Sequence, residues 1–122
     1  MNRKGFTLVE VLIVVIIIGI LAAIGIPQFA ASIEKAKGGE ARAGLGHLQT
    51  GEKIYFSENE MYTNATSDLD ISLSEKYWAF TIAVATPSST YTATATRSGG
   101  TRAGQTITMD QAGTIAGNWE FI

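Results

Sequence analysis

The chain has no cysteine and only one histidine among its 122 residues. Without cysteine it has no disulfide framework, no thiol nucleophile and no Cys-based metal site, and His47 alone cannot build a zinc site. The sequence offers no Ser-His-carboxylate order, metal-ligand spacing or acid–base pair. We therefore expect no catalytic site, no metal and no cofactor.

Charged side chains are also scarce. Only 16% of the residues are Asp, Glu, Lys or Arg, whereas about 25% is typical of soluble domains. The formal net charge is −2, and the sequence has no cluster of Lys and Arg with which to neutralise phosphates. We therefore expect no nucleic acid partner.

The shortage of charge is concentrated near the N-terminus. Residues 11–33 form a run of 23 residues without a charged side chain, and about 18 are enough for a spanning helix. Arg3 and Lys4 precede the run, and so short an N-terminus ordinarily stays on the cytoplasmic side. The run predicts a membrane segment with its N-terminus inside.

Two interpretations of this run are general ones. A secretory signal peptide has a shorter apolar core of about 7 to 15 residues, although Ala30-Ala31-Ser32 offers a small-residue cleavage site. A plain single-pass anchor accounts for the length but not for Glu10, because a carboxylate at the bilayer centre costs about 2.5 to 3.5 kcal/mol. At the headgroup level, Glu10 would instead stay hydrated.

A third interpretation comes from the residues around the start of the run, which read Lys4-Gly5-Phe6-Thr7-Leu8-Val9-Glu10. This stretch closely resembles the class III signal of type IV prepilins and the related pseudopilins. The resemblance implies that a prepilin peptidase cuts between Gly5 and Phe6 and methylates the new amino terminus of Phe6. Many pilins close their C-terminal region with a disulfide, from which this chain departs because it has no cysteine.

Glu10 is the only carboxylate near this end of the chain. The α-amino group of a cleaved Phe6 would be largely positive at neutral pH, because its reference pKa is about 8. Each charge is costly in a dry filament core alone, so we predict that the amine of one subunit pairs with Glu10 of another and fixes the axial register. A pair within one chain is the competing arrangement.

Three parts are expected along the chain. Residues 1–5 are a leader peptide, residues 6–33 a transmembrane helix that becomes the filament core, and residues 34–122 a globular head. Gly25 and Pro27 interrupt the apolar segment. Since Pro27 has no N–H for a helical hydrogen bond, we expect a helix kink there.

The head is predicted to be α+β, with the long N-terminal helix packed through its second half on a three- to four-stranded antiparallel sheet, the pilin fold. The helix should end near Ser57. Glu52 falls inside the apolar face of this helix, and its charge counts against that assignment of the face. We interpret Gly44, Gly46 and Gly51 as positions at which the helix makes close contacts. At 100° per residue, that face contains Ala41, Gly44, Leu45, Leu48, Gly51, Tyr55 and Phe56.

Four alternating segments predict the strands. Residues 78–86 place Trp78, Phe80, Ile82 and Val84 on one side, and residues 91–96 alternate again with Thr outside. Pro87-Ser88-Ser89 predicts the turn between them. Residues 107–109 and 114–116 predict a second, short hairpin.

Several other residues are weaker candidates for a site. Asp68 and Asp70 could ligate calcium, but no Asp-rich loop surrounds them, so we interpret them as solvated. Asn64 fits a glycosylation sequon that occurs often by chance. Three aromatic residues, Tyr62, Tyr77 and Trp119, are predicted to be exposed subunit contacts. Without a disulfide, residues 99–122 must be held by packing of Trp119, Phe121 and Ile122, by neighbouring subunits or by an ion.

The resemblance to prepilins implies a structural subunit of a type IV pilus, first in the inner membrane and then in an extracellular filament. Its expected partners are copies of itself, a prepilin peptidase and an inner-membrane assembly platform. The alternatives are a pseudopilin of a type II secretion system and a minor pilin of a DNA-uptake apparatus. A membrane-anchored enzyme is a different class, for which the sequence offers no constellation of residues.

Overall fold

The computed structural model describes residues 5–85 and 89–122. The chain divides into two compact units between Lys35 and Ala36, which we call the N-terminal unit (residues 5–35) and the head (residues 36–122). One long helix contributes to both units. The elements are α1 (Leu8–Asn59), a 3₁₀ turn (Thr66–Asp68), β1 (Trp78–Val84), β2 (Tyr91–Arg97), β3 (Thr106–Asp110) and β4 (Ile115–Gly117).

The sheet of the head has the strand order β1-β2-β3-β4, and every neighbouring pair is antiparallel. This confirms the predicted fold class and the four predicted strands. The predicted turn at Pro87-Ser88-Ser89 lies largely outside the described residues, although Ala85 N donates to Thr90 O at 3.1 Å where the two strands end. At the β3–β4 turn, Asp110 Oδ1 accepts hydrogen bonds from Ala112 N and Thr114 N, both at 2.9 Å.

One face of the sheet packs on the second half of α1. Trp78, Phe80 and Ile82 alternate with exposed residues along β1 and are buried, as the sequence pattern predicts. Leu45 and Leu48 of α1 are fully buried in the same cluster. Phe56 does not belong to it, because it remains 37% exposed and contacts the ring of Tyr62, so the predicted apolar face ends at Tyr55.

Glycines let the helix approach its neighbours in the head. A Cβ at Gly44 would lie 2.6 Å from Cε1 of Phe80, and a Cβ at Gly51 would lie 3.2 Å from Cγ2 of Ile71. The prediction of close contacts is therefore confirmed at Gly44 and Gly51. It is wrong at Gly46, where no atom of the described residues lies within 4 Å of an added Cβ, because that position faces away from the sheet.

Two alanine substitutions should have opposite effects on the stability of the head. Gly44→Ala forces the methyl group against the Phe80 ring, which we expect to destabilise the head by about 1 to 3 kcal/mol. Gly46→Ala meets no neighbour and gains helix propensity, so it should stabilise the head by up to about 1 kcal/mol. Urea unfolding of residues 34–122, a fragment that the composition predicts to be soluble, measures both. Equal effects would contradict the close contact at Gly44.

Trp119 joins the end of the chain to the core. It is only 2% exposed, so the prediction that it is an exposed contact is wrong. Its ring lies 5.0 Å from that of Trp78 and 5.5 Å from that of Phe121, and a Cβ at Gly38 would lie 2.8 Å from its Nε1 atom. Packing of Trp119 and Phe121 therefore holds this segment in the absence of a disulfide, whereas Ile122 is 49% exposed.

Candidate functional site

The start of α1 carries two of the predicted site residues. Phe6 and Glu10 are both exposed. Glu10 N donates to Thr7 Oγ1 at 3.1 Å, and Thr7 N donates to Glu10 Oε2 at 3.3 Å. This reciprocal pair is a capping box, in which each side chain satisfies a backbone N–H that the helix leaves without a partner. Glu10 thus has a local role that sequence reasoning missed, although the Thr-x-x-Glu spacing signals it.

Between residues 11 and 33, α1 carries no charged side chain and is apolar on all sides. The large hydrophobic side chains of residues 6–33 are 41% to 87% exposed. The helix is long and apolar enough to cross a membrane, with a mean hydropathy of 3.1 over its most apolar window of 18 residues. A helix that is apolar on every face requires an apolar environment, either lipid or other helices.

Gly25 and Pro27 lie within this apolar segment. The structure places Pro27 inside the helix, which runs from Leu8 to Asn59, and nothing lies within 4 Å of a Cβ added at Gly25. Proline removes the hydrogen bond that its N–H would make to the preceding turn. The kink at Gly25 and Pro27 stays a prediction.

Glu52 is the most unusual residue of the head. It is fully buried, and its Oε2 atom accepts a hydrogen bond from Thr63 N at 3.0 Å. Its Oε1 atom and the hydroxyl of Tyr91 are buried and have no hydrogen-bond partner among the described residues. Burial raises the pKa of Glu52 above its ordinary 4.5, the hydrogen bond from Thr63 opposes this, and the negative charge of Asp68 adds to it. Burial and the nearby charge of Glu52 raise the pKa of Tyr91 to about 12.

A basic cluster surrounds Tyr77, one of the predicted contact residues. Three cations approach its ring. Lys37 Nζ lies 4.5 Å from the ring centroid, Lys76 Nζ 5.1 Å and Arg97 Cζ 5.4 Å. We call Lys37, Lys76, Tyr77 and Arg97 the basic cluster. Sequence reasoning missed it because the four residues come from α1, the segment before β1 and the end of β2.

An acidic hollow lies at another level of the head. Its volume is about 260 Å³. Three carboxylates and four other residues line it, namely Glu58, Asp68 and Asp70 with Gly51, Ile54, Tyr55 and Leu69. Thr63 Oγ1 donates to Asp68 Oδ2 at 2.6 Å, which fixes one of the carboxylates.

The remaining sequence candidates do not form a site. His47 is exposed and, with Glu40, lines a separate hollow of about 370 Å³. Asn64 is exposed as well. Within residues 5–85 and 89–122, no group of three or more His, Cys, Asp or Glu side chains is arranged to hold a metal ion.

Comparisons with known families show what kind of chain carries these features. A family model described as the prokaryotic N-terminal methylation motif matches residues 1–26. A second model, described as type IV minor pilin ComP, DNA uptake sequence receptor, matches residues 27–108, more than half of the chain. The chain belongs to the type IV pilin family. The resemblance of residues 4–10 to a prepilin signal is thereby confirmed.

Relatives of this pilin include major pilins and secretion proteins. It is 46% identical over 68 residues to the type IV major pilin protein PilA of Myxococcus xanthus, covering 56% of this chain and 31% of that one. It is 41% identical over 63 residues to the type IV wide pilus major component PilA4 of Thermus thermophilus, covering 52% and 48%. It is 34% identical over 69 residues to type II secretion system core protein G of Aeromonas hydrophila, covering 57% and 48%.

The matched part of the pilin therefore spans 31% to 48% of the length of these curated relatives. Among solved structures, a type IV pilin from Shewanella oneidensis matches with a TM-score of 0.47 at 14% identity, covering 66% of this chain and 90% of that one.

Proposed function

We propose that this pilin is a structural subunit of a type IV pilus. The observation that carries the proposal is the N-terminal unit, whose large apolar side chains are exposed on every face of α1, with the carboxylate of Glu10 at the start of the helix. Such a helix can be buried in a bilayer or against copies of itself in a filament core. Major pilins among its relatives support a filament made chiefly of this chain.

The route to the filament begins in the inner membrane. A prepilin peptidase removes residues 1–5 and methylates Phe6, and an assembly platform in the same membrane moves the helix into the growing filament. Residues 6–33 then form the filament core, and residues 34–122, which include the head, cover it. The match to the N-terminal methylation motif supports this processing step.

Intact mass measurement of sheared surface fibres tests the proposal. We expect the main protein of the fibres to be this chain, beginning at N-methylated Phe6. Control cells that lack the gene should lose the fibres. A mature chain that begins near Ile33 would instead restore the secretory interpretation and overturn the pilin route, because it would lack the apolar helix.

A DNA-uptake function is the second candidate, and the match of residues 27–108 to a model described as a DNA uptake sequence receptor favours it. The charge of the head weighs against it, since residues 36–122 contain nine acidic and six basic side chains. The affinity of the head for duplex DNA, measured at two salt concentrations, distinguishes the DNA-uptake function from the structural one. Binding through phosphate contacts should weaken steeply as the salt concentration rises.

A further inference from the structure

The basic cluster of the head is held in place by backbone contacts. Arg97 is buried, and its Nη1 atom donates to Tyr77 O at 3.2 Å and also to Ser98 O. The indole Nε1 of Trp78 donates to Lys37 O at 2.7 Å, which ties α1 to the start of β1. Lys76, by contrast, is exposed. The ring of Tyr77 and the guanidinium group of Arg97 are therefore fixed in place, whereas the ammonium group of Lys76 lies at the surface.

The chemistry of the basic cluster selects a carboxylate or another anion. Lys37, Lys76 and Arg97 place three positive charges around the Tyr77 ring, whose face attracts cations. An anion that reaches the exposed ammonium group of Lys76 comes close to these charges, and opposite charges attract. An acidic side chain of a second protein surface is the natural ligand of such an arrangement.

The acidic hollow of the head is the complementary surface. Asp70 and Glu58 are exposed at its rim. The alkyl stem of a lysine can pack on the apolar lining that Ile54, Tyr55 and Leu69 provide, while its ammonium group reaches the carboxylates.

The two surfaces cannot pair within one chain. Gly51 and Glu58, which line the hollow, lie 14 and 21 residues after Lys37 along α1. At about 1.5 Å per residue, this separates the hollow from the basic cluster by roughly 20 to 30 Å along the helix axis. A salt bridge requires a distance of about 4 Å. Contact between them therefore requires two copies of the head at different heights.

We propose that the basic cluster of one copy of this chain docks on the acidic hollow of a second copy in the filament, with Lys76 reaching Asp70. This inference rests on the proposed function, because it concerns how pilus subunits bind one another. The contact joins different surfaces of the two copies, and such a head-to-tail contact repeats without closing when it follows a screw axis. It also adds a specific contact between heads to the apolar packing of the core.

Charge reversal at the two exposed residues tests the contact in the full chain. Lys76→Glu places two acidic side chains opposite each other, and Asp70→Lys places two basic ones. We expect each variant alone to lower the yield of sheared fibres about tenfold, because the repulsion recurs at every copy. The double variant Lys76→Glu/Asp70→Lys restores the pair in each contact and should recover most of the yield.

Co-expression of the two single variants is the sharper test. In a mixed filament, the introduced glutamate of the Lys76→Glu chain meets the introduced lysine of the Asp70→Lys chain, and the two unchanged residues, Lys76 and Asp70, meet at the next contact. When the two variants are expressed together, they should form fibres that contain both chains. The yield of these mixed fibres should be well above that of either variant expressed alone. Arg42→Glu is the matched control, since Arg42 is exposed on α1 outside both surfaces, and it should keep the normal yield. The amount of processed subunit in the membrane reports that each variant folds.

Other outcomes overturn the proposal. Normal fibres from Lys76→Glu would show that the basic cluster does not hold the heads together, while the proposed pilus function would stand. Loss of fibres in both single variants without rescue in the double variant or on co-expression would show that the residues act elsewhere. If Lys76→Glu leaves fibres unchanged and abolishes binding of duplex DNA, the cluster binds nucleic acid instead. If wild-type cells carry no fibres of this chain, the proposed function itself fails.

Discussion

Glu10→Gln is expected to abolish fibre assembly while leaving membrane insertion and cleavage between Gly5 and Phe6 intact. The variant replaces the carboxylate by a neutral amide of nearly the same shape. In the filament core, the positive amine of an incoming Phe6 would then find no negative partner, and an unpaired buried charge costs several kcal/mol. Immunoblots of sheared fibres and of the inner membrane measure the result. We expect processed subunit to accumulate in the membrane.

The capping box gives this experiment its control. Glutamine can replace glutamate in a capping box, so Glu10→Gln removes the charge and keeps the cap. Thr7→Ala does the reverse, because it keeps the charge and weakens the first turn of α1 by about 0.5 to 2 kcal/mol. We expect Thr7→Ala to form fibres. If Thr7→Ala fails as completely as Glu10→Gln, or if Glu10→Gln assembles normally, the charge does not set the register.

A third variant, Glu10→Val, removes both the charge and the cap. It makes the apolar surface of α1 continuous, which favours insertion into the membrane. Its fibre yield should match that of Glu10→Gln, because the missing partner for the amine is common to both. A Glu10 paired only within its own chain, to the amine four residues earlier, would make neither variant defective in assembly.

The regular elements of the head could be predicted because their signals are local. Alternation along residues 78–84 identifies the buried face of β1 directly, and Tyr91, Ala93 and Ala95 do the same for β2. The spacing of Ala41, Leu45 and Leu48 identifies the buried face of α1. In these segments the spacing of the buried residues along the sequence matches the period of the strand or of the helix.

The polar and charged features of the head could not be predicted in the same way. The basic cluster joins Lys37, Tyr77 and Arg97, which lie far apart along the chain, and no local pattern links them. Burial of Trp119 depends on the absence of a side chain at Gly38. Thr7 and Glu10 are different, because their capping box has a recognisable spacing that the search for a processing signal passed over.

At Glu52, the sequence pattern can be compared directly with the structure. In the sequence it contradicts the apolar face of α1, since a charged side chain is seldom fully buried. In the structure it is fully buried, and Oε2 holds the backbone of Thr63 eleven residues away. Glu52 therefore occupies a position on the buried face of α1 where an apolar residue would be expected, and its hydrogen bond fixes the segment after α1. Because the buried Glu52 side chain is ionisable, we expect the stability of the head to depend on pH.

The free energy of unfolding of the wild-type head should fall relative to that of Glu52→Gln as the pH rises above 4.5. Burial raises the pKa of Glu52 in the folded head above its ordinary 4.5, so the folded state binds the proton more tightly than the unfolded state. Linkage then requires stability to be greatest below 4.5 and to be lost as the pH rises through the raised value. Glutamine stays neutral and keeps an oxygen acceptor for Thr63.

Urea unfolding of residues 34–122 between pH 4 and pH 8 measures this difference, and contributions from other titrating groups cancel when the variant is subtracted from the wild type. Asp68, Asp110 and Tyr62 interact electrostatically with Glu52 or with Tyr91, and all three are present in both proteins. Near neutral pH we expect Glu52→Gln to be the more stable head, because it removes the cost of a buried charge. A constant difference across the range would mean that Glu52 titrates as it does in the unfolded chain.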